Sequence, residues 1–189
     1  KAIVFPLFSV NEISRRTSTS SYLNVTFLNS NEELKFKISV AHIAAALAAE
    51  LPYQGSNLAN LSANKLNTWA EVDAYTAKRT GAAPAGLPNI PVSVMVPPPT
   101  SGTRDAMGSL FMKAGWKKLG LDGNGYKKLR EDGAAIEVGE NDSLIIEKLA
   151  ADKNMFGVFG YSFFDQNRDK VQASIMDGVE LNFENIASY

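Results

Sequence analysis

The stretch Pro91-Val92-Ser93-Val94-Met95-Val96-Pro97-Pro98-Pro99-Thr100-Ser101-Gly102-Thr103-Arg104-Asp105 places a strand, a stiff loop and a helix start in direct succession. Residues 91–96 are short and apolar, as a buried strand is. Three prolines then fix φ and hold the loop extended, and Gly102 lets the backbone approach a neighbour closely. The amphipathic segment 103–119 follows as a helix. Strand, turn and helix in this order is the unit of a parallel α/β sheet.

Downstream, the same grammar repeats. The spacing predicts a turn at 122–125, a helical stretch at 126–131, a strand at 134–138 and a helix over 142–151. A strand over 155–161, a short helix over 165–169 and a strand over 171–176 complete it. Upstream, 2–8 and 22–28 read as strands around a polar loop at 11–21. Ser39 is placed to cap a helix over 40–51 that Pro52 stops. Residues 53–89, rich in Asn, Ala, Gly and Pro, form a long excursion with one short helix over 68–76. The expected fold is α/β, with a mostly parallel sheet flanked by helices. The length fits one domain over 1–189.

Composition limits what such a fold can do. The chain has 189 residues, long enough for one full core, and 45% are hydrophobic. Lys plus Arg number 19 against 20 Asp plus Glu, so no global field draws the chain to nucleic acid or an anionic bilayer. No Cys and a single His, His42, remove thiolate nucleophiles, disulfides and paired-His metal centres. The apolar runs 43–49 and 155–164 are shorter than the roughly 18 residues of a membrane span, so no membrane insertion is expected. The chain opens on Lys1 without a signal-peptide pattern, which fits a cytosolic or a processed protein.

Within these limits, the loop before the helix at 103 is the place for an anion. The first turn of a helix leaves backbone N–H groups unpaired, and its dipole favours negative charge there. Ser101 and Thr103 add hydroxyl donors, and the Arg104 guanidinium matches two oxygens of a tetrahedral anion. The alternative is that Ser101 or Thr103 simply caps the helix, Arg104 is solvated, and Asp105 answers the dipole. Other features read as structure. His42 lies off the apolar stripe of its helix and is expected at the surface. Gly160-Tyr161-Ser162 lacks the second Gly of a nucleophile elbow. Phe156, Phe159, Tyr161, Phe163 and Phe164 are expected as strand-borne core, and Lys113, Lys117 and Lys118 as a solvated face.

On these residues the chain resembles the periplasmic phosphate-binding proteins, the substrate-binding components of high-affinity phosphate ABC transporters. The run from Pro97 to Ala106 is similar to their phosphate-contacting loop. The likeness continues in order through Arg130-Glu131-Asp132-Gly133, Gly139-Glu140-Asn141-Asp142 and Gly157-Val158-Phe159-Gly160-Tyr161-Ser162-Phe163. It extends through Asp165-Gln166-Asn167 to Phe183-Glu184-Asn185-Ile186-Ala187-Ser188. The resemblance implies a type II periplasmic-binding-protein lobe over 1–189, with hinge or crossover segments near 1–28 and 155–189, the second of two lobes that close on a dehydrated phosphate, with most of the N-terminal lobe lacking. It assigns phosphate contact to Ser101, Gly102, Thr103 and Arg104, with Thr100, Asp105 and Asn141 as further candidates. For Asp105 and Asn141, helix capping competes with ligand contact.

The function so implied is capture of inorganic phosphate in the periplasm and delivery to ABC transporter permease subunits. No catalysis, cofactor or metal is expected. Two other classes compete: an enzyme using the same loop to anchor a phosphorylated substrate, and an adhesion or scaffold module whose ligand site is idle.

Overall fold

The computed structural model describes residues 25–31, 36–52, 60–139 and 141–180. The strand expected over 2–8, the loop over 11–21 and the motif at 183–188 lie outside them.

A central sheet is built from β1 (Val25–Asn29), β5 (Val94–Val96), β6 (Ala135–Glu137), β7 (Phe156–Gly160) and β8 (Gln172–Ala173), in the order β6-β5-β7-β1-β8. β5 pairs in parallel with β6 and with β7, whereas β1 runs antiparallel to β7 and β8. The sheet is therefore mostly parallel, with β1 the reversed strand. Short ladders flank it: β2 (Lys37–Ile38) pairs in parallel with β9 (Ile175–Met176), and β3 (Glu50–Pro52) is antiparallel to β4 (Leu61–Ala63).

Side-chain alternation along the strands sorts the core into two layers. Phe27, Val94, Val96, Phe156 and Val158 face one cluster, together with Phe36 and Trp69. Leu28, Met95 and Phe159 face the other, with Ile145, Leu149 and Phe163. The first layer is covered by α1 (Val40–Leu47), α2 (Trp69–Thr80) and α4 (Ala114–Lys118), and the second by α5 (Asp142–Ala151) and α6 (Tyr161–Gln166). Phe27 stacks on Phe156 at 4.9 Å, and Trp69 meets both edge-on.

Helix α1 is buried along its whole length, so both of its ends need internal partners. At the N-terminus, Ser39 Oγ accepts from the His42 N–H, and the Ser39 N–H donates to His42 Nδ1 at 3.1 Å. This is a capping box with His in the place of Glu. An acceptor Nδ1 leaves the proton on Nε2, which donates to Asp73 Oδ1 at 3.0 Å. His42 is thus interior, only 7% exposed, and not at the surface as its place off the stripe suggested. The Asp73 carboxylate also accepts from the N–H groups of Ala85, Gly86 and Leu87 at 2.8, 2.8 and 3.0 Å.

At the C-terminus, α1 stops at Leu47 rather than reaching residue 51. Asn64 Nδ2 donates to the carbonyls of Ala45 and Ala48, and Arg130 donates to those of Ala46 and Leu47. Those captures end the helix before Pro52 can, and Leu51 belongs to β3. Arg130, buried itself, is neutralised by Asp132 at 2.7 Å. Close helix packing completes the layer: a Cβ on Gly115 of α4 would sit 2.0 Å from the Val40 carbonyl oxygen.

Other boundaries follow local signals. α2 carries a full capping box, Thr68 with Glu71, and ends on Gly81 at φ 72°. It is longer than the expected 68–76. The helix expected over 103–119 runs as α3 (Gly102–Met107), a π-helical stretch (Gly108–Lys113) and α4. The helical stretch expected over 126–131 is only a short 3₁₀ turn, Gly125–Lys127. The helix expected at 165–169 starts earlier, at Tyr161. The strand expected over 171–176 divides at Ser174 into β8 and β9, where the Ser174 N–H donates to Phe27 O and the Ile175 N–H to Phe36 O.

Gly115→Ala is expected to destabilise the fold by about 2–3 kcal/mol in denaturant unfolding, because the added methyl meets backbone that cannot step aside. Asp73→Ala strands three amides and His42 and is expected to cost about 2–4 kcal/mol. Burial alone would raise the Asp73 carboxyl, but the backbone N–H bonds and His42 outweigh it and hold the carboxyl below its ordinary value. The Asp73 contribution is therefore complete above the ordinary carboxylate range and is lost as pH falls through the lower folded value. In urea titrations between neutral and strongly acidic pH, the wild type should lose stability at the acid end and Asp73→Ala should lose less.

Candidate functional site

Parallel pairing of β5 with β6 and β7 sets three carboxyl ends side by side, and a helix begins just beyond each: α3 after β5, α5 after β6 and α6 after β7. Crevices beyond the carboxyl ends of parallel strands are where open α/β sheets take ligands. A cleft of about 280 Å³ lies here, lined by Pro97, Pro98, Ser101 and Thr103 from the first connection and Val138, Gly139 and Ile145 from the second. The third supplies Phe159, Gly160, Ser162, Phe163 and Gln166.

Ser101 is the N-cap of α3: its Oγ accepts from the Arg104 N–H at 3.1 Å and keeps its own proton to donate. Among the described residues, the N–H groups of Gly102 and Thr103 meet no acceptor, and neither does the Thr103 hydroxyl. That hydroxyl stands 4.0 Å from where a Cβ on Gly160 would sit, an ordinary contact distance, so the start of α3 and the end of β7 are neighbours. At α6 the N-cap is Gly160, which has no side chain to cap with, and the Ser162 hydroxyl is free among the described residues. Two loops thus bring hydroxyl-bearing residues from helix starts, Ser101, Thr103 and Ser162, to one cleft. Among the described residues, no His, Asp, Glu, Lys or Arg side chain lines it.

Arg104 lies differently from the sequence-based expectation. Its Nη1 donates to the Pro97 carbonyl at 2.6 Å, and both terminal nitrogens lie 3.4 Å from Glu137 Oε1. The guanidinium is on the rim beside β6, and its acidic partner is Glu137 rather than Asp105. The Glu137 side chain is 56% exposed, so this long pair is a weak one. Asp105 is exposed in the first turn of α3, and Thr100 is exposed in the preceding turn. Asn141 caps α5, accepting from the Leu144 N–H at 3.2 Å, and is not among the cleft residues.

Sequence reading missed Gly139, Ser162, Gln166 and the apolar wall of Phe159, Phe163, Val138 and Ile145. Gly160-Tyr161-Ser162 carried the available signal: a small-residue turn straight after a buried strand, the same arrangement as at Ser101.

No family model matches the chain. A curated relative, Protein SphX of Synechococcus elongatus, is 27% identical over 89 residues, which is 47% of this chain and 22% of that protein. Among solved structures, PstS from Borrelia burgdorferi superposes with a TM-score of 0.57 at 15% identity, over 87% of this chain and 51% of that one. A "possible phosphate binding protein" from Planctomyces limnophilus gives 0.51 at 19% identity, over 88% and 49%. The chain spans about half the length of these structures, and its α/β fold, a mostly parallel sheet flanked by helices, is the fold of that half.

Proposed function

We propose that this chain is the second half of a two-lobed periplasmic receptor that binds inorganic phosphate and delivers it to the permease subunits of an ABC importer, without catalysing a reaction. The observation that carries the reading is the cleft at the carboxyl ends of β5, β6 and β7. There Ser101, Thr103 and Ser162 line one cleft, the Thr103 amide and the Thr103 and Ser162 hydroxyls have no acceptor among the described residues, and the Gly102 amide lies beside them in the first turn of α3. Such donors stabilise a tetrahedral oxyanion through dipoles and hydrogen bonds rather than formal charge. The fold shared with PstS supports the same assignment.

Arg104 joins from the rim by exchanging its weak contact with Glu137 for the anion, while its bond to the Pro97 carbonyl keeps it beside the cleft. The other half of the receptor supplies the remaining contacts on closure. An enzyme is disfavoured because, among the described residues, no side chain lining the cleft can serve as a general base near neutral pH.

Phosphate is expected to raise the melting temperature of the chain in a concentration-dependent way, since a ligand that binds only the native state stabilises it. Sulfate should do so comparably, because among the described residues no carboxylate lines this cleft to accept the proton of hydrogen phosphate. Failure of both anions would overturn the reading and favour a ligand-idle module. Thr103→Val should weaken phosphate binding by about 1–2 kcal/mol and Arg104→Ala by about 1.5–3 kcal/mol in calorimetry. Glu137→Gln should strengthen it by freeing the guanidinium, and unchanged affinity in all three variants would reject the site.

A further inference from the structure

Three side chains at the start of α1 form a chain of hydrogen bonds that capping alone does not require. Ser39 Oγ lies 2.7 Å from His42 Nδ1, and His42 Nε2 lies 3.0 Å from Asp73 Oδ1. A capping box needs only an acceptor at residue 42, which Glu or Gln supplies, and not a base whose far side is held by a buried carboxylate. Asp73 is 4% exposed and is fixed by the Ala85, Gly86 and Leu87 amides, so it stays ionised and keeps the imidazole proton on Nε2. Nδ1 then faces the Ser39 hydroxyl as an acceptor. Hydroxyl, imidazole and carboxylate in series, each within hydrogen-bond reach of the next, are what activates a serine nucleophile, and the arrangement is defined by geometry rather than by chain order. Either ring nitrogen can take the base's part, since a neutral imidazole carries its proton on one and a lone pair on the other.

The series opens on space. Ser39 and His42 line a cavity of about 440 Å³ together with Lys37, Ala85, Ile175 and Asp177. The cavity is separate from the phosphate cleft: α1 packs in the first core layer, whereas the apolar wall of the cleft belongs to the second. Beside Ser39, the Val40 N–H donates to Asp177 Oδ2 at a long 3.5 Å, while Lys118 holds Asp177 Oδ1 at 2.8 Å. An oxyanion can take the place of that carboxylate oxygen at the Val40 amide and leave Asp177 paired with Lys118. Asp177 on the cavity wall also turns away an acyl group that carries negative charge of its own.

We propose that Ser39, His42 and Asp73 form a second site, a hydrolytic one, that cleaves small uncharged carboxylic esters. Ser39 Oγ attacks the ester carbonyl and forms the new C–O bond as its proton passes to His42 Nδ1. The electron pair pushed onto the carbonyl oxygen returns as the bond to the alkoxy group breaks, and Nδ1 gives its proton to the departing alcohol. Water, deprotonated by the same nitrogen, then attacks the acyl-serine, releasing the carboxylic acid and restoring the Ser39 hydroxyl. Asp73 pairs with the imidazolium formed in each step. The inference does not rest on the phosphate reading, which concerns a different site.

Hydrolysis of p-nitrophenyl acetate by the whole chain, and labelling by diisopropyl fluorophosphate located by peptide mass mapping, test it. Two variants separate chemistry from capping: His42→Gln restores an ordinary capping box without a base, and Ser39→Asn keeps a capping acceptor without a nucleophile. The wild type is expected to turn over the ester and to be labelled at Ser39. Each variant should lower the rate roughly 100-fold, the usual worth of a positioned base, and lose the label. Both should keep a cooperative thermal transition and unchanged phosphate affinity. A wild-type rate no higher than that of the folded variants, or a label on any residue other than Ser39, would overturn the inference, leave the trio a helix cap and leave the phosphate reading untouched.

Discussion

Parallel pairing of β5 with both of its neighbours is the constraint behind the whole site. Strands that run the same way must each be followed by a crossover, so their carboxyl ends open into loops on one edge of the sheet. Three helix starts are brought together by backbone hydrogen bonding alone, before any side chain in the cleft is chosen. Residues far apart in the chain, Ser101, Gly139 and Ser162, become neighbours for that reason. What the side chains then decide is whether each helix start is closed or open. Asn141 closes α5 with its own carboxamide, whereas Gly160 leaves α6 open and Ser101 satisfies only part of the first turn of α3.

A second requirement comes from α1. A helix with every residue interior cannot leave its terminal N–H and C=O groups to water. The chain answers with polar side chains from distant segments: Asp73 through His42 at one end, Asn64 and Arg130 at the other. Each is in turn fixed, Asp73 by three amides and Arg130 by Asp132. These residues tie the segment over residues 60–89 to the body of the fold, so that stretch is part of the core's polar framework rather than a surface appendage.

How much of this was legible depends on where each signal lies. α5 runs over 142–151 as expected, because Asn141 sits beside it, and the start of α2 is encoded by Thr68 and Glu71. The end of α1 was misplaced because its terminators, Asn64 and Arg130, lie well beyond the helix in sequence. His42 was misjudged for the same reason: its partner Asp73 lies on another helix. The start of α6 was missed because Gly160 offers no capping side chain to recognise. In the candidate site, Ser101, Gly102 and Thr103 could be named from one local pattern. The turn of Arg104 toward Glu137, and the cleft positions of Ser162 and Gln166, depend on strand order, which no local pattern carries.

The π-helical stretch between α3 and α4 couples two distant fittings. A widened turn holds one more residue than an ordinary one, and this shifts the facing of everything after it by about 100° relative to everything before. On the near side that phase sets the Ser101 cap and the Thr103 hydroxyl; on the far side it sets Gly115 against the Val40 carbonyl. Deleting a single residue between 108 and 113 would regularise the spiral and yet turn one end out of alignment. Either the anchoring crossing or the loop's aim would be forfeited, so an apparent irregularity in the backbone acts as the gear that keeps both in phase.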